Sequence, residues 1–238
     1  NEIFSLAVKN HQEGKTDIAL KLYNQILKIE PNHSQSLNNL GVIFQNQMNH
    51  EKAKDCYEKA IAIKSDYEEA HNNLGNIFKE LGDNQKAKEC YEKAIEINPN
   101  YADAHNNLGV ILKELGENQK AKSFYEKTIA INPNYANAHN NLGIIFKELG
   151  EYQKAKSCYE KAIEINPDYA DAHYNLGNVF VALGENQKAK SCYEKAIRIN
   201  PDYTLAYNNL GIILVALKDY QKAKSCYVKI IRFKPDYA

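Results

Sequence analysis

The sequence has no excess of either charge. Its 238 residues contain 30 Lys and Arg against 30 Asp and Glu, so the formal net charge at neutral pH is zero. Nucleic acids and anionic membrane surfaces select proteins with a basic excess, because cationic side chains pair with the phosphates. We therefore expect neither a nucleic acid nor a membrane as a partner.

A long apolar run and a catalytic motif are also missing. No stretch approaches the roughly 18 consecutive apolar residues that a membrane-spanning helix needs. There is no Gly-rich phosphate-binding loop, and no Ser, His and Asp set at a spacing typical of hydrolases. These absences favour a binding function over catalysis and predict no cofactor.

What the sequence does contain is a 34-residue unit that recurs along its whole length. The motif Asn-Asn-Leu-Gly returns at this interval, as does Lys-Ala-Lys-x-Cys-Tyr-Glu-Lys-Ala-Ile, which ends at Ile61, Ile95, Ile163 and Ile197. The predicted repeats are 1–33, 34–67, 68–101, 102–135, 136–169, 170–203 and 204–238. Positions 1 to 34 are counted within each repeat, and the chain starts at position 2 of the first.

The residue types at fixed positions carry a resemblance. Leu, Gly, Phe, Ala, Tyr, Ala and Pro occupy positions 7, 8, 11, 20, 24, 27 and 32 of the third repeat. This pattern and its period resemble the tetratricopeptide repeat, and the resemblance covers the whole chain. It implies an all-α fold, a right-handed superhelical α-solenoid of seven helix-turn-helix repeats.

The turns between helices have their own signals. Gly at position 15, as in Gly82, is suited to end the first helix of a repeat, and Pro at position 32 cannot continue the second. Asn or Asp at position 33, as in Asp168 and Asp202, is predicted to form the turn and to cap the next helix.

The first helix of each repeat has a polar arc formed by positions 2, 5, 6, 9, 12 and 13. Stacked repeats present such arcs as one concave binding surface. Asn is frequent on this arc, and a row of amides can pair with the N–H and C=O groups of an extended peptide. The predicted peptide-binding residues are Asn39, Asn73, Asn107, Asn141, Asn175 and Asn209 at position 6, Asn72, Asn106 and Asn140 at position 5, Asn76 and Asn178 at position 9, and Lys79, Lys113 and Lys147 at position 12.

Two interpretations of this row stay open. The repeats of O-linked N-acetylglucosamine transferase are similar, since they hold substrate peptides with an Asn ladder at position 6, and this resemblance implies the same role here. Alternatively, the amides bond only local backbone or water. Toward the C-terminus the arc becomes apolar at Val181, Val215 and Ile212, which predicts either an anchor for an apolar ligand group or a surface packed on a following domain.

The cysteines and histidines follow the period and are predicted to be structural. Position 23 holds Cys56, Cys90, Cys158, Cys192 and Cys226, whereas Leu22 and Phe124 replace them elsewhere. Equivalent residues of adjacent repeats lie about 10 Å apart, too far for a disulfide. The odd number of cysteines, five, also predicts a reducing, intracellular compartment. One His per repeat at position 4 cannot converge on an ion, so no metal site is expected.

The last hairpin carries Val228, Ile230, Ile231 and Phe233 without a polar cap, although solenoids normally end in a polar face. This predicts one module of a longer polypeptide. The predicted function is a protein interaction scaffold that recruits extended peptide segments for a larger protein, and not an enzyme itself. The alternatives are a module that self-assembles into a homo-oligomer through its terminal repeats, or, by resemblance alone, the substrate-binding arm of a glycosyltransferase.

Overall fold

The computed structural model describes residues 2–233, and over this range it contains fourteen α-helices and no strand. The helices follow one another in seven pairs, so the all-α prediction is confirmed. Their bounds are α1 Glu2–Gln12, α2 Thr16–Ile29, α3 Ser34–Asn46, α4 His50–Ile63, α5 Glu68–Glu80, α6 Asn84–Ile97, α7 Ala102–Glu114, α8 Asn118–Ile131, α9 Ala136–Glu148, α10 Tyr152–Ile165, α11 Ala170–Ala182, α12 Asn186–Ile199, α13 Thr204–Ala216 and α14 Tyr220–Phe233.

The turn after each odd-numbered helix contains one residue with a left-handed backbone. In five repeats this residue is glycine, with φ between 72° and 79°, as the sequence predicted at Gly82. In the other two repeats Met48 and Lys218 adopt the same conformation, with φ of 59° and 62°. A side chain makes this conformation costly, so these two turns carry backbone strain.

The turns before α7, α9, α11 and α13 are closed by the asparagine at position 31 instead of by position 33. The Oδ1 atom of Asn98 accepts a hydrogen bond of 3.1 Å from the backbone N–H of Asn100, and the same bond joins Asn166 to Asp168. The N-cap residue that follows is a tyrosine such as Tyr101, which makes no capping bond with its side chain. The prediction that the position-33 side chain caps the next helix, made for Asp168 and Asp202, is therefore wrong. Position 33 contributes its backbone N–H instead.

The core of each hairpin is formed by small and large residues that alternate on the even-numbered helix. In α6 the side chains of Ala87, Tyr91 and Ala94 are fully buried. The Tyr91 ring lies against Gly75 of α5, where there is no room for a Cβ atom. This contact lets the two helices of a repeat approach closely.

The chain divides into two compact units, Asn1–Phe124 and Tyr125–Ala238. In the first unit α3, α5 and α7 lie side by side, while α4 packs on α5 and α6 packs on α7. The second unit repeats this plan, with α9 beside α11, α10 on α11 and α12 on α13. Within each unit the odd-numbered helices therefore share one surface. We call the side chains at positions 2, 5, 6, 9, 12 and 13 of these helices the odd-helix surface.

Candidate functional site

The odd-helix surface has an exposed edge at position 2 and a half-buried centre at positions 6 and 9. Position 2 is exposed in repeats two to seven, as at Glu69 and Asp171. Positions 6 and 9 are half-buried in most repeats, as at Asn73 and Asn76. Together they form a polar strip with an amide-rich centre.

The amides of this surface bond to each other across repeats. Asn73 donates through Nδ2 to Oδ1 of Asn38, in the preceding repeat, at 3.1 Å. Asn107 donates in the same way to Asn72 at 3.0 Å, and in the second unit Asn175 donates to Asn140 at 3.1 Å. Each bond joins position 6 of one repeat to position 5 of the repeat before it. The row therefore links neighbouring odd helices, in addition to any ligand role.

The position-5 asparagines lie beneath the surface. The exposed fractions of Asn38, Asn72, Asn106 and Asn140 are between 4% and 6%. A peptide on the surface has little access to such side chains, and Asn72 and Asn140 accept hydrogen bonds from the position-6 amides of Asn107 and Asn175. Whether Asn72, Asn106 and Asn140 contact a ligand stays a prediction. Asn208, at position 5 of the last repeat, is exposed.

A second set of bonds involves position 9, where Asn76 and Asn178 lie. Asn107 Nδ2 also donates to Oδ1 of Asn76 at 3.2 Å, and Asn209 Nδ2 donates to Oδ1 of Asn178 at 2.9 Å. Asn209 donates further to the hydroxyl of Tyr174 at 3.3 Å. Asn107 and Asn209 thus each donate two hydrogen bonds.

The tyrosines at position 24 reach this network from the even helices. The hydroxyl groups of Tyr91 and Tyr193 donate to Oδ1 of Asn76 and Asn178, both at 2.8 Å. In the first repeats Asn39 donates to the Tyr23 hydroxyl at 3.1 Å, and Tyr57 donates to Gln45 at 3.1 Å. Sequence reasoning missed these hydroxyls. Their signal was the pairing of Gly at position 8 with Tyr at position 24 in repeats two to seven.

The hydroxyl of Tyr159 differs from these, since it is buried and has no hydrogen-bond partner. Position 9 of its repeat is Ile144, where Tyr91 and Tyr193 have an asparagine. An aliphatic side chain cannot accept a hydrogen bond, and a buried hydroxyl without a partner costs about 1–3 kcal/mol.

Charged side chains flank the amides in the middle repeats. Lys79, Lys113 and Lys147 at position 12 are half-buried, and exposed glutamates follow them at position 13. Glu80 accepts a bond of 2.9 Å from Gln45, and Glu114 accepts one of 3.2 Å from Asn84. The glutamates therefore tie successive repeats together. Whether the lysines contact a ligand stays a prediction.

An open apolar depression lies on the odd-helix surface of the sixth and seventh repeats. Its volume is ≈ 180 Å³. The exposed fractions of Val181 and Ile212, which line it, are 41% and 54%. Val215, which follows Ile212 on α13, is 44% exposed but does not line the depression. The residues that line the depression are Asn178, Val181, Tyr193, Asn209, Ile212 and Ile213. The predicted apolar residues Val181 and Ile212 are thus brought together with two amides of the row.

The position-4 histidines bind the turn that precedes them. His105 and His139 place Nε2 2.9 Å from the carbonyl oxygens of Pro99 and Pro133, and His71 and His173 make the equivalent contact. Burial lowers the pKa of His173, which keeps its ring neutral near pH 7. Within residues 2–233 no three His, Cys, Asp or Glu side chains are grouped so that they could hold a metal ion.

The five cysteines are free thiols on the even helices. Burial raises the pKa of Cys56, Cys158 and Cys192 to about 11 and that of Cys90 to about 12. A thiol with such a pKa is protonated at neutral pH and is a poor nucleophile or metal ligand. This supports the structural role predicted from their period.

Paired helices that pack on the next pair, with one shared surface in each unit, define a helical repeat protein of the solenoid class. Models of the tetratricopeptide repeat match residues 34–67, 102–135 and 170–203, and residues 124–157 and 192–225. A third model, described as TPR repeat, matches residues 75–116 and 145–184. Together the matches cover residues 34–67 and 75–225, so the chain belongs to the tetratricopeptide-repeat family.

Solved structures with a similar fold include two with moderate sequence identity. The chain is 28% identical to MamA over 68% of this chain and 95% of that one, with a TM-score of 0.60. It is 25% identical to YrrB, described as a TPR protein with an unusual peptide-binding site, over 77% of this chain and 95% of YrrB, with a TM-score of 0.59. No curated protein sequence gives a match.

A third structure, PilF of Pseudomonas aeruginosa, shows the fold alone. It is 20% identical over 85% of this chain and 92% of its own, with a TM-score of 0.78. The family and these neighbours support a protein interaction module. They do not show the resemblance to O-linked N-acetylglucosamine transferase, which stays a prediction. Among the described helices, none is long and apolar enough to cross a bilayer.

Proposed function

We propose that this chain recruits a partner protein by binding an extended peptide segment of it along the odd-helix surface. The observation that carries the proposal is the apolar depression of ≈ 180 Å³ in the sixth and seventh repeats, bordered by the amides of Asn178 and Asn209. Such a depression suits a peptide, because each peptide residue presents a side chain that apolar groups can cover and a backbone amide that polar groups can bind.

The apolar part of the depression gives binding energy. Ile212 and Val181, which line it, are aliphatic side chains with two-fifths or more of their surface exposed. Covering such surface contributes about 25 cal/mol per Å², and burying one aliphatic ligand side chain contributes roughly 1.5–3 kcal/mol. An apolar cavity of about 150 Å³ holds a benzene ring. The depression is therefore large enough for one aliphatic or aromatic side chain.

The spacing of the repeats suits an extended chain. Helix pairs stack about 10 Å apart, and an extended peptide advances about 3.3 Å per residue. Equivalent amides in successive repeats thus come within reach of about every third peptide residue. The likeness to YrrB, described as having a peptide-binding site, adds support of the same kind.

Selection from a library tests the proposal. A randomised 12-residue peptide library would be displayed and selected on the chain, and the peptides obtained would be synthesised and measured by fluorescence anisotropy. We expect peptides with an aliphatic or aromatic anchor. The substitution Val181→Ser or Ile212→Ser should weaken their binding by about 5–30-fold, which corresponds to about 1–2 kcal/mol of lost apolar contact.

Val228→Ser is the matched control, because Val228 has a similar exposed fraction, 39%, but lies on the even helix α14. It should leave peptide affinity unchanged. If no peptide is selected, or if Ile212→Ser binds as tightly as the wild type, the peptide proposal fails. Circular dichroism of each variant shows that the helices remain intact.

A second candidate is self-association through α14. Ile231 and Val228 are exposed on this helix, and covering them with another copy would bury apolar surface. Light scattering as a function of concentration separates the candidates. A mass that rises with concentration and falls back in Ile231→Ser supports assembly, whereas a constant monomer mass rejects it.

A further inference from the structure

The odd-helix surface of the sixth and seventh repeats carries a single charge. Among the described residues of α11 and α13, Asp171 is the only one with a charged side chain, since the ring of His173 is neutral near pH 7. By contrast, α5, α7 and α9 each carry both carboxylates and lysine. A carboxylate on an otherwise uncharged surface favours a ligand group of the opposite charge, because no neighbouring cation competes for it.

The Asp171 carboxylate is exposed and has free acceptor sites. Its Oδ1 atom accepts a hydrogen bond of 2.6 Å from the hydroxyl of Tyr203. Within residues 2–233, no lysine, arginine or histidine forms an ion pair with it, whereas Asp168 in the preceding turn lies 3.8 Å from Nζ of Lys195. An ionised carboxylate has about four lone-pair sites, so Asp171 can accept further hydrogen bonds from a cationic group.

Two tyrosine rings lie beside this carboxylate. Tyr174 follows Asp171 by three residues on α11, so the two side chains are neighbours on one helix face. The ring centroids of Tyr174 and Tyr203 are 5.1 Å apart, with an interplanar angle of 38°, and both residues are half-buried. Tyr174 is also unusual in the sequence, because position 5 is asparagine in repeats two to five and in repeat seven. A carboxylate and aromatic faces both attract cations.

The two rings continue into the apolar depression. The Tyr174 ring centroid is 5.9 Å from that of Tyr193, and the Tyr174 hydroxyl accepts a hydrogen bond of 3.3 Å from Nδ2 of Asn209. Tyr193 and Asn209 both line the depression. One ligand segment can therefore reach the depression and the carboxylate together.

We propose that Asp171, Tyr174 and Tyr203 form a site for an arginine side chain of the bound segment. We call these three residues the arginine site. The inference rests on the proposed function and specifies the class of its ligand, an extended segment with an arginine near its apolar anchor. Arginine fits better than lysine, because its planar guanidinium group stacks on aromatic faces and presents a fork of N–H donors to a carboxylate.

The distance between the two subsites limits the spacing within the ligand. Asn178, which lines the depression, follows Asp171 by seven residues on α11, about 10 Å along the helix axis. An extended peptide covers this distance in about three residues. The arginine should therefore lie within about three positions of the aliphatic or aromatic anchor.

Peptide selection on two variants tests the arginine site. Asp171→Asn removes the charge and keeps the shape of the side chain, and Tyr174→Asn introduces the residue that position 5 has in other repeats. The randomised 12-residue library would be selected separately on the wild type and on each variant. The wild type should enrich arginine within about three positions of the anchor. The variants should select the anchor without the arginine.

Affinity measurements then compare a selected peptide with a copy that has glutamine in place of the arginine. On the wild type the copy should bind about 5–10-fold more weakly, as expected for one cation–π contact and one exposed ion pair. On Asp171→Asn the two peptides should bind equally. Added salt should reduce the difference seen on the wild type, because it screens exposed charges.

Glu194→Gln is the matched control, since Glu194 is an exposed carboxylate of the same repeat but lies on the even helix α12. It should keep the full difference between the two peptides. The thermal midpoint of each variant is measured alongside. If Asp171 and Tyr174 only support the fold, their substitution lowers the midpoint and leaves the difference between the peptides unchanged, which overturns the inference.

The other outcomes are equally distinct. Selected peptides that carry an anchor without a nearby arginine, or with lysine or a free N-terminal amine in its place, overturn the arginine site while peptide binding itself stands. A wild-type chain that selects no peptide overturns the proposed function, and the inference with it.

Discussion

Gly75 and Tyr91 lie in direct contact, since a Cβ atom on Gly75 would fall 2.6 Å from Cε1 of the tyrosine ring. The same relationship joins Gly41 to Tyr57 at 2.5 Å. Because the odd helix has no side chain here, the ring passes close to its backbone, and the Tyr91 hydroxyl reaches Asn76 at 2.8 Å. One contact in the hairpin core therefore also positions the polar network of the candidate site.

The first prediction concerns this contact. Gly75→Ala should lower the free energy of unfolding by about 1–3 kcal/mol, because the added methyl group overlaps a fully buried ring. The better helix propensity of Ala, worth about 1 kcal/mol, only partly offsets this. Urea denaturation followed by circular dichroism measures the change. A variant as stable as the wild type would contradict the close contact.

The second prediction uses the two strained turns. Lys218→Gly and Met48→Gly should each stabilise the chain by about 0.5–1 kcal/mol, because both residues have a positive φ that costs a side chain about 1–2 kcal/mol. Thermal unfolding would show the gain. The reverse change, Gly82→Ala at φ of 79°, serves as the control and should destabilise, although no neighbouring atom lies within 4 Å.

The third prediction compares two buried tyrosines of the second unit. Tyr193→Phe removes the 2.8 Å bond to Asn178 and should cost about 1 kcal/mol. Tyr159→Phe removes a hydroxyl without a partner and should be neutral or stabilising. Both changes delete one oxygen from a buried ring, so their difference in chemical denaturation reports the bond alone. Equal losses would mean that Tyr159 has a partner in solution.

The fourth prediction concerns thiol reactivity. Burial raises the pKa of Cys56, Cys158 and Cys192 to about 11, so the thiolate fraction at pH 8 is only about 0.001. Iodoacetamide should therefore modify the folded chain slowly at pH 8 and much faster once urea unfolds it. Mass spectrometry counts the modified cysteines. Rapid modification of the folded chain would show that the thiols are more exposed than the structure places them.

The raised pKa of these thiols also determines how the stability of the chain changes with pH. An unfolded thiol ionises near pH 9, whereas the folded thiol keeps its proton to about pH 11. The unfolded state therefore loses protons first, and stability falls as pH rises from about 9 to 11. Urea midpoints measured at pH 8 and 10 check this. In a variant that combines Cys56→Ala, Cys158→Ala and Cys192→Ala, the part of the fall in midpoint that comes from thiol ionisation should disappear.

Several features of the fold were predictable from particular residues. Gly82 and its counterparts in four other repeats have the positive φ that ends an odd helix. Ala87 and Tyr91 are buried where the small and large pattern places them. These features are local, since helix periodicity and backbone sterics act within a few residues.

The candidate site was predicted only in part. The sequence placed the amides on one arc of the odd helices, but it did not show that Asn72 lies beneath Asn107 and accepts its hydrogen bond. It also gave no sign that Asn98, and not the residue at position 33, closes the turn through Asn100. Both facts depend on which donor comes nearest to a given acceptor in space.

The sequence by itself determined the period, the fourteen helices of residues 2–233 and the side chains that share each helix face. These follow from residue spacing, because a helix turns by the same angle at every residue. Only the tertiary structure decided how many hydrogen bonds each asparagine of the odd-helix surface donates, two from Asn107 and one from Asn73. That outcome depends on the acceptor at position 9 of the neighbouring repeat, such as Asn76 or Ile144, and on whether packing brings it within about 3 Å of the amide.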